Sequence, residues 1–527
     1  MKDNLKQKFE RDKRRKNTMN TFLNQMTKDS NITRTENGGV TRKSTESKVL
    51  DMFAVGGAYR TRSDEDVILL FKNAFEEDRL LAMKCLFYLR DIRGGQGERR
   101  FFRVAFRWLC NEYPQVAKAN LKNISEYGRW DDLIYVAEGT PVQTAAFNII
   151  KHQLALDIQC KTPSLLAKWM PSQNASNADT KRLGHVLANF LGMTSREYRK
   201  TLSILRERIN VLERLMSANR WDEIEFDKIP SKAGLIYRNA FARRDILAKK
   251  YEAFAKRKDT KVNADALYPY EVVSKAVNYN HSLWGKWTED ELLNHAERLM
   301  INKYWSCLPD YLEGKDCSMM CVVDTSGSMT GSNAAAPINI AIGLGMYCAE
   351  RIDGPFKNHY ISFSSRPQLI SIEGIDFVDK VNRIYKTNLC ENTNLTAVFD
   401  LLLETAKRPG VKKNDIPKTV VVISDMEIDS GTGSWSWRSS TAGWTKQTAA
   451  TEMEKIRQKW AAEGYELPHL VYWNVDAREN HILDSGPNVT FVSGASPTIF
   501  KSVLTGKSAW DVMLDVLMSK RYSKVTI

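Results

Sequence analysis

The chain predicts an all-helical first part followed by a doubly wound α/β second part, an α + α/β architecture. Three observations predict it. Up to about residue 300, apolar residues recur at spacings of three and four, and strand-like alternation is nearly absent. After residue 314, short apolar runs alternate with helical stretches, the pattern of a parallel sheet with crossover helices. The charge divides at the same place. Residues 1–300 carry 53 Lys and Arg against 38 Asp and Glu, and residues 301–527 carry 24 against 25, within a net charge of +14.

Residues 1–48 read as a basic, flexible lead-in with too few aliphatic side chains to bury much surface. The run Lys13-Arg14-Arg15-Lys16 suits a nucleic-acid arm or a nuclear address, and equally a frayed tail. Residues 49–305 read as the helical part. Asp64 precedes the apolar series Val67, Leu69, Leu70, Phe71, Ala74 and Phe75, one stripe of a helix. Further helices are expected over 80–93, 98–110, 118–136, 142–158, 195–217 and 234–258. Helices joined by short connections build a bundle or an α-solenoid. No strict repeat period appears.

Residues 306–527 read as the α/β part. SMMCVVD, HYISFS, KTVVVISD, PHLVYWNVD and NVTFVSG read as strands, and helical stretches separate most of them. Asp324 and Asp425 each end a strand. In a doubly wound sheet ligands sit beyond the carboxyl ends of the strands, so both acids should share that edge.

Composition excludes several classes. With 43% hydrophobic and 27% charged residues, the chain is neither fibrous nor wholly disordered. It has no apolar run of about 18 residues, the length a membrane helix needs. Its first residues lack the apolar core of a secretory signal. The eight cysteines form no CxxC pair, and HExxH is absent, which speaks against a disulfide framework and a zinc protease. GxSxG is absent, and no histidine or general base stands beside Ser326 and Ser328, so no enzyme is expected. A reducing intracellular compartment, cytoplasmic or nuclear, fits the free cysteines.

The basic residues suggest a polyanion partner. Arg93, Arg99 and Arg100 flank the glycines of Arg93-Gly94-Gly95-Gln96-Gly97-Glu98-Arg99-Arg100. This stretch lacks the Gly-Lys-Ser/Thr of an ATP-binding loop, and a helix-to-helix turn explains its glycines. Its backbone N–H groups near a helix start could still take a phosphate. Arg196, Arg199, Lys200, Arg243 and Arg244 lie on later helices with Tyr198, Phe241 and Tyr251 between them. Such patterns can contact phosphates and stack on unpaired bases, and they also describe a solvated face with its aromatics turned inward.

Asp324-Thr325-Ser326-Gly327-Ser328 resembles the DxSxS motif of von Willebrand factor A domains, in which it builds a metal-ion-dependent adhesion site. The resemblance implies metal ligands at Asp324, Ser326 and Ser328, at Thr393 in the second loop, and at Asp425 in the third. Hydroxyls with few carboxylates suit Mg²⁺ or another hard divalent cation. The sequence departs from that family after Asp425, where Met426-Glu427-Ile428-Asp429 follows. Glu427 could add a ligand or repel an acidic partner. Trp435, Trp437 and Trp444 beyond it form either a recognition surface or packing on the sheet edge.

Two resemblances cover most of the chain. Thr35-Glu36-Asn37-Gly38-Gly39, Leu89-Arg90-Asp91-Ile92-Arg93, Tyr127-Gly128-Arg129-Trp130-Asp131-Asp132-Leu133 and Ala167-Lys168-Trp169-Met170-Pro171-Ser172 resemble a family of plants, fungi and large viruses described only as a domain of unknown function. The turn Arg90-Asp91-Ile92-Arg93-Gly94-Gly95-Gln96-Gly97-Glu98-Arg99 and the third of these stretches also resemble the TROVE module of the Ro ribonucleoprotein family. That resemblance implies a HEAT-like helical ring or arc, a von Willebrand A domain after it, and RNA as the partner of the helices. The expected function is therefore Ro-like RNA binding, with the second part holding Mg²⁺ and closing the ring or recruiting a protein. The rival expectation is a metal-dependent protein-interaction scaffold without RNA.

Overall fold

The computed structural model describes residues 31–527 except 258, 260–261, 278, 282–286, 290–292, 315–317, 332, 388–392, 430–450, 484–487 and 504–505. Trp435, Trp437 and Trp444 lie outside the described residues.

The helical part follows local rules closely. Ser63 caps Asp64–Glu77, whose first turn is acidic, as a helix N-terminus favours. Val67, Leu70, Phe71, Ala74 and Phe75 are buried on one stripe. Leu69, expected on that stripe, points outward and is 57% exposed. Arg79–Arg90 and Arg99–Glu112 follow. The expected helix over 118–136 is broken into the end of Pro114–Asn120, a 3₁₀ turn over Leu121–Asn123, Ile124–Tyr127 and, after Gly128, Trp130–Ala137. The 195–217 stretch divides at Asn210, whose φ of 48° ends Ser195–Arg208 before Leu212–Ser217 begins. The 234–258 stretch likewise divides into Ser231–Ala242 and Asp245–Lys256.

Strands occur in the first part too. β1 (Ile32–Arg34) and β2 (Val40–Arg42) pair as an antiparallel hairpin, and β3 (Tyr279–His281) pairs with β4 (Trp287–Glu289). The hairpin lies in the expected flexible lead-in but is docked: Thr35 Oγ1 donates to the Ile428 carbonyl at 2.6 Å, and Arg42 N donates to the Ile482 carbonyl at 2.9 Å. Its partners lie almost 400 residues away, so the sequence near it carries no trace of the docking.

The second part holds a six-stranded sheet. Its strands are β5 (Met319–Asp324), β6 (His359–Phe363), β7 (Leu369–Ser371), β8 (Thr419–Ser424), β9 (His469–Asn474) and β10 (Val489–Ser493), in the order β10-β9-β8-β5-β6-β7. All neighbours run parallel except β6 and β7. The short antiparallel edge strand β7 was not legible as a strand. The chain leaves β5 toward one edge and returns at β8 toward the other, so β5 and β8 are adjacent at the point where the winding reverses. A crevice beyond the carboxyl ends of such strands is the usual ligand site.

The helical part begins and ends against this sheet unit. Ser493 Oγ, on β10, donates to the Phe53 carbonyl at 3.1 Å. A Cβ on Gly343, in helix Pro337–Arg351, would lie 2.9 Å from Tyr270 N, so helix Pro269–Ala276 approaches at backbone distance. The two ends of the helical part also touch. Arg60 lies 5.7 Å above the Tyr270 ring, and the Tyr268 hydroxyl occupies the space a Cβ on Gly97 would need. The last residues return as well: Thr526 N donates to Asn120 Oδ1 at 3.1 Å. No helix of the described residues is long and apolar enough to cross a membrane.

Candidate functional site

The parallel register brings Asp324 and Asp425 to one sheet edge. Asp324 is the last residue of β5, and Asp425 follows Ser424, the last of β8. Both are buried, at 0% and 1% exposure. Asp324 Oδ1 accepts from Ser326 N at 2.9 Å, and its Oδ2 accepts from the Ser424 hydroxyl. Ser326 Oγ and Ser328 Oγ lie 2.9 Å apart. Thr393 is buried and donates through Oγ1 to the Glu427 carbonyl at 2.8 Å. Asp429 N returns a bond to the Thr393 carbonyl at 2.8 Å, so the second and third loops are laced together.

The electrostatics of this edge are those of a site short of positive charge. Burial, and then the neighbouring Asp425, hold the Asp324 carboxyl well above the ordinary carboxylate range. Burial also raises the pKa of Asp425. Asp425 Oδ2 is buried without a hydrogen-bond partner. An acceptor in that position costs stability unless something cationic satisfies it. Two carboxylates and the hydroxyls of Ser326, Ser328 and Thr393 are all hard oxygen donors, and they fit a hard divalent cation. Among the described residues, no three or more His, Cys, Asp and Glu side chains cluster as a metal site, so the hydroxyls must complete any donor set here.

Glu427, expected to add a ligand or repel an acidic partner, is enclosed. It is 1% exposed, and its Oε2 accepts from Glu36 N at 2.8 Å while Oε1 lies 3.2 Å from His481 Nε2. Burial raises its pKa, but the His481 and Glu36 hydrogen bonds and the His481 and Arg478 charges outweigh that and hold it below the ordinary range. Glu427 therefore anchors the hairpin. The Thr35-Glu36-Asn37-Gly38-Gly39 segment folds over this third loop: Asn37 Nδ2 donates to the Glu427 carbonyl at 2.8 Å, and Gly38 bridges Asp429.

The glycine turn does not offer its amides to a phosphate. Gly95 N and Gly97 N donate to the Asp91 carbonyl at 3.2 and 3.0 Å, and Gln96 N donates to the Tyr88 carbonyl. The Glu98 carboxylate caps helix Arg99–Glu112 and fills the place an anion would take. Arg100 is paired with Asp64, and Arg93 reaches the Glu126 carbonyl at 3.4 Å. Arg99 makes no hydrogen bond or ion pair among the described residues. Burial and the adjacent Arg103 and Arg129 lower its pKa.

The later cations occupy separate places. Arg196 and Lys200 stand exposed on helix Ser195–Arg208. Arg243 is exposed after helix Ser231–Ala242, and Arg244 stacks 3.7 Å above the Trp221 ring. Arg199 lines a cavity of about 770 Å³ together with Lys168, Trp169, Arg206, Arg214 and Lys232; Glu213 is the acidic residue in its wall. Arg129 stacks 4.0 Å above the Trp169 ring, and its charge also acts on Arg99. Sequence reasoning missed Lys168, Trp169, Arg206, Arg214 and Lys232 as one group. Ala167-Lys168-Trp169 was the one signal, and it carried no role.

Comparison with known proteins places most of this sequence beside others of unknown function. An uncharacterized protein of Acanthamoeba polyphaga mimivirus is 27% identical over 524 residues, covering 91% of this chain and 85% of that protein. The crystal structure of the Deinococcus radiodurans RO (RSR) protein aligns with a TM-score of 0.47 and 15% identity, over 90% of this chain and 99% of that one. Residues 35–138 and 188–315 match the family model "Domain of unknown function (DUF2828)", and residues 318–523 match "Domain of unknown function (DUF7788)".

Proposed function

We propose that this is a non-enzymatic RNA-binding protein, with a HEAT-like helical arc that holds RNA and a von Willebrand A-like unit that holds Mg²⁺. The observation that carries the RNA reading is the cavity of about 770 Å³ in which Lys168, Arg199, Arg206, Arg214 and Lys232 face Glu213 beside Trp169. Cations track the phosphate backbone, and an indole face stacks on unpaired bases of any sequence. RNA is favoured over duplex DNA because a stacking platform needs an unpaired base. In the second unit Asp324, Ser326, Ser328, Thr393 and Asp425 would hold the cation. The cation would supply an open coordination position for an oxygen of a protein partner.

A second reading is a protein-interaction scaffold without RNA. It is favoured by cations already spent inside the fold: Arg206 donates to the Ala167 and Met170 carbonyls at 2.8 Å, and Arg214 pairs with Glu207 at 3.0 Å.

The test is fluorescence anisotropy of a structured RNA with a single-stranded tail, at 50 and 200 mM salt, beside an acidic polymer. RNA binding through six or more phosphate contacts weakens about 10³-fold or more across that range. Binding no tighter than to the polymer would leave the scaffold reading in place.

A further inference from the structure

Arg478 is the one cation placed against the buried acids of the metal-type centre among the described residues. It lies in the loop that follows β9. Its Nη2 donates to the Ser328 carbonyl and stands 3.9 Å from Asp425 Oδ2. That distance is too long for a hydrogen bond, and Asp425 Oδ2 has no other partner. On its far side, Arg478 Nη1 lies 3.6 Å from Glu36 Oε2, and Nε lies 4.0 Å from Asp476 Oδ2. Glu36 belongs to the docked N-terminal hairpin, its N–H held by Glu427. The guanidinium thus stands between the acids of the centre and a separate acid on the rim.

We infer that Arg478 is the resident counter-cation of this centre, and that it sets the affinity for a divalent cation with Glu36 as its second partner. The inference rests on the metal reading above. A guanidinium beside Asp425 partly neutralises the same carboxylate that a divalent cation needs. Two positive charges beside one carboxylate repel, so cation entry favours Arg478 on its Glu36 and Asp476 side. Glu36 gives the displaced charge a place to go, and the hairpin that carries it becomes part of the cation site. Arg478 is therefore a positioning residue of the centre and not one of its ligands. Neither Glu36 nor Arg478 belongs to the five-residue motif, so the motif alone would understate what controls affinity.

The experiment is calorimetric titration of Mg²⁺, and of Mn²⁺ as a tighter probe, into the full chain and four variants. Arg478→Gln should bind roughly tenfold tighter or more, because a charge competing for the Asp425 carboxylate is removed. Arg478→Lys keeps the charge and should stay near the parent. Glu36→Gln removes the second partner and should bind several-fold more weakly. Asp425→Asn should bind nothing. Arg478→Gln binding with equal or lower affinity overturns the inference. Should that variant not fold, unchanged affinity in the rim variant Glu36→Gln overturns it as well. Binding that Asp425→Asn abolishes while Arg478→Gln and Glu36→Gln leave it unaltered sinks this inference and spares the metal reading. Absence of binding in the parent and in Arg478→Gln sinks both.

Discussion

Arg521 and Asp91, 430 residues apart, form a two-pronged ion pair in which Arg521 Nη2 donates to Asp91 Oδ1 at 2.6 Å. Asp91 is fully buried, and the Tyr522 hydroxyl also donates to its Oδ2 at 3.0 Å. The last turn of the chain is thereby clasped to the turn that follows helix Arg79–Arg90. Arg521→Ala would leave a buried carboxylate with half its partners, at a cost of about 2 kcal/mol or more. Urea unfolding measures the cost, and amide exchange over 519–527 should quicken first. Unchanged exchange there would mean the clasp contributes nothing.

Arg90 and Asp132 form a second buried pair, 2.6 Å apart, with Arg103 adding a bond to Asp132 at 2.7 Å. Burial pushes Asp132 up, but the charges and bonds of Arg90 and Arg103 win and hold its pKa below the ordinary carboxylate range. A depressed acid stabilises the fold above its unfolded pKa, and that contribution is lost as pH falls through the lower, folded value. Asp132→Asn should cost about 3–5 kcal/mol at pH 7. The deficit should shrink in acid, as thermal melts at pH 7 and pH 3 would record.

For Asp324 the sign is opposite. Its folded pKa is raised, first by burial and then by Asp425. The cation-free fold therefore binds protons that the unfolded chain releases. Its stability falls as pH rises from the ordinary carboxylate range through the raised value. Mg²⁺ should cancel that loss, adding about 2.7 kcal/mol at a hundredfold excess over Kd. Asp425→Asn should remove the Mg²⁺ shift and make the cation-free protein more stable at pH 8. Melting curves with Mg²⁺ and with chelator decide it, and a Mg²⁺ shift that persists in Asp425→Asn places the cation elsewhere.

Trp169 lines the basic cavity, with Arg129 over one face of its ring, and on the RNA reading it is the stacking platform. Trp169→Ala should weaken tailed RNA by about 1–3 kcal/mol with little change in salt slope. Lys232→Ala should reduce the slope by about one and weaken all RNAs alike. Anisotropy titrations across salt separate the two effects. Equal behaviour of both variants would mean that stacking plays no part.

Most of the fold was legible because its signals are local. Helix starts at Ser63, Thr194 and Thr451 carry their own capping side chains. The strand ending at Asp324 and the one ending just before Asp425 are continuous apolar runs, as a buried parallel sheet favours. Once those strands are adjacent, their terminal acids must share an edge, so the core of the candidate centre was legible too. The hairpin over the third loop was not, because the residues that dock it are short, polar and nearly 400 positions from their partners. The burial of Glu427 was not legible for the same reason: it depends on Glu36 and His481, which sequence proximity does not reveal.

Arg99 and Arg100 mark the division between what sequence determined and what tertiary structure decided. They are neighbours at one helix start, and the sequence treats them alike. Side-chain period, caps and apolar runs follow from the chain's own chemistry over a few residues, and these determined the order of elements and the strand-end acids. Which charges are neutralised is settled through space. Arg100 meets Asp64 at the start of helix Asp64–Glu77, while Arg99 meets Arg103 and Arg129 and keeps its charge unpaired. Only packing places an acid or another cation within the few ångströms over which such charges act.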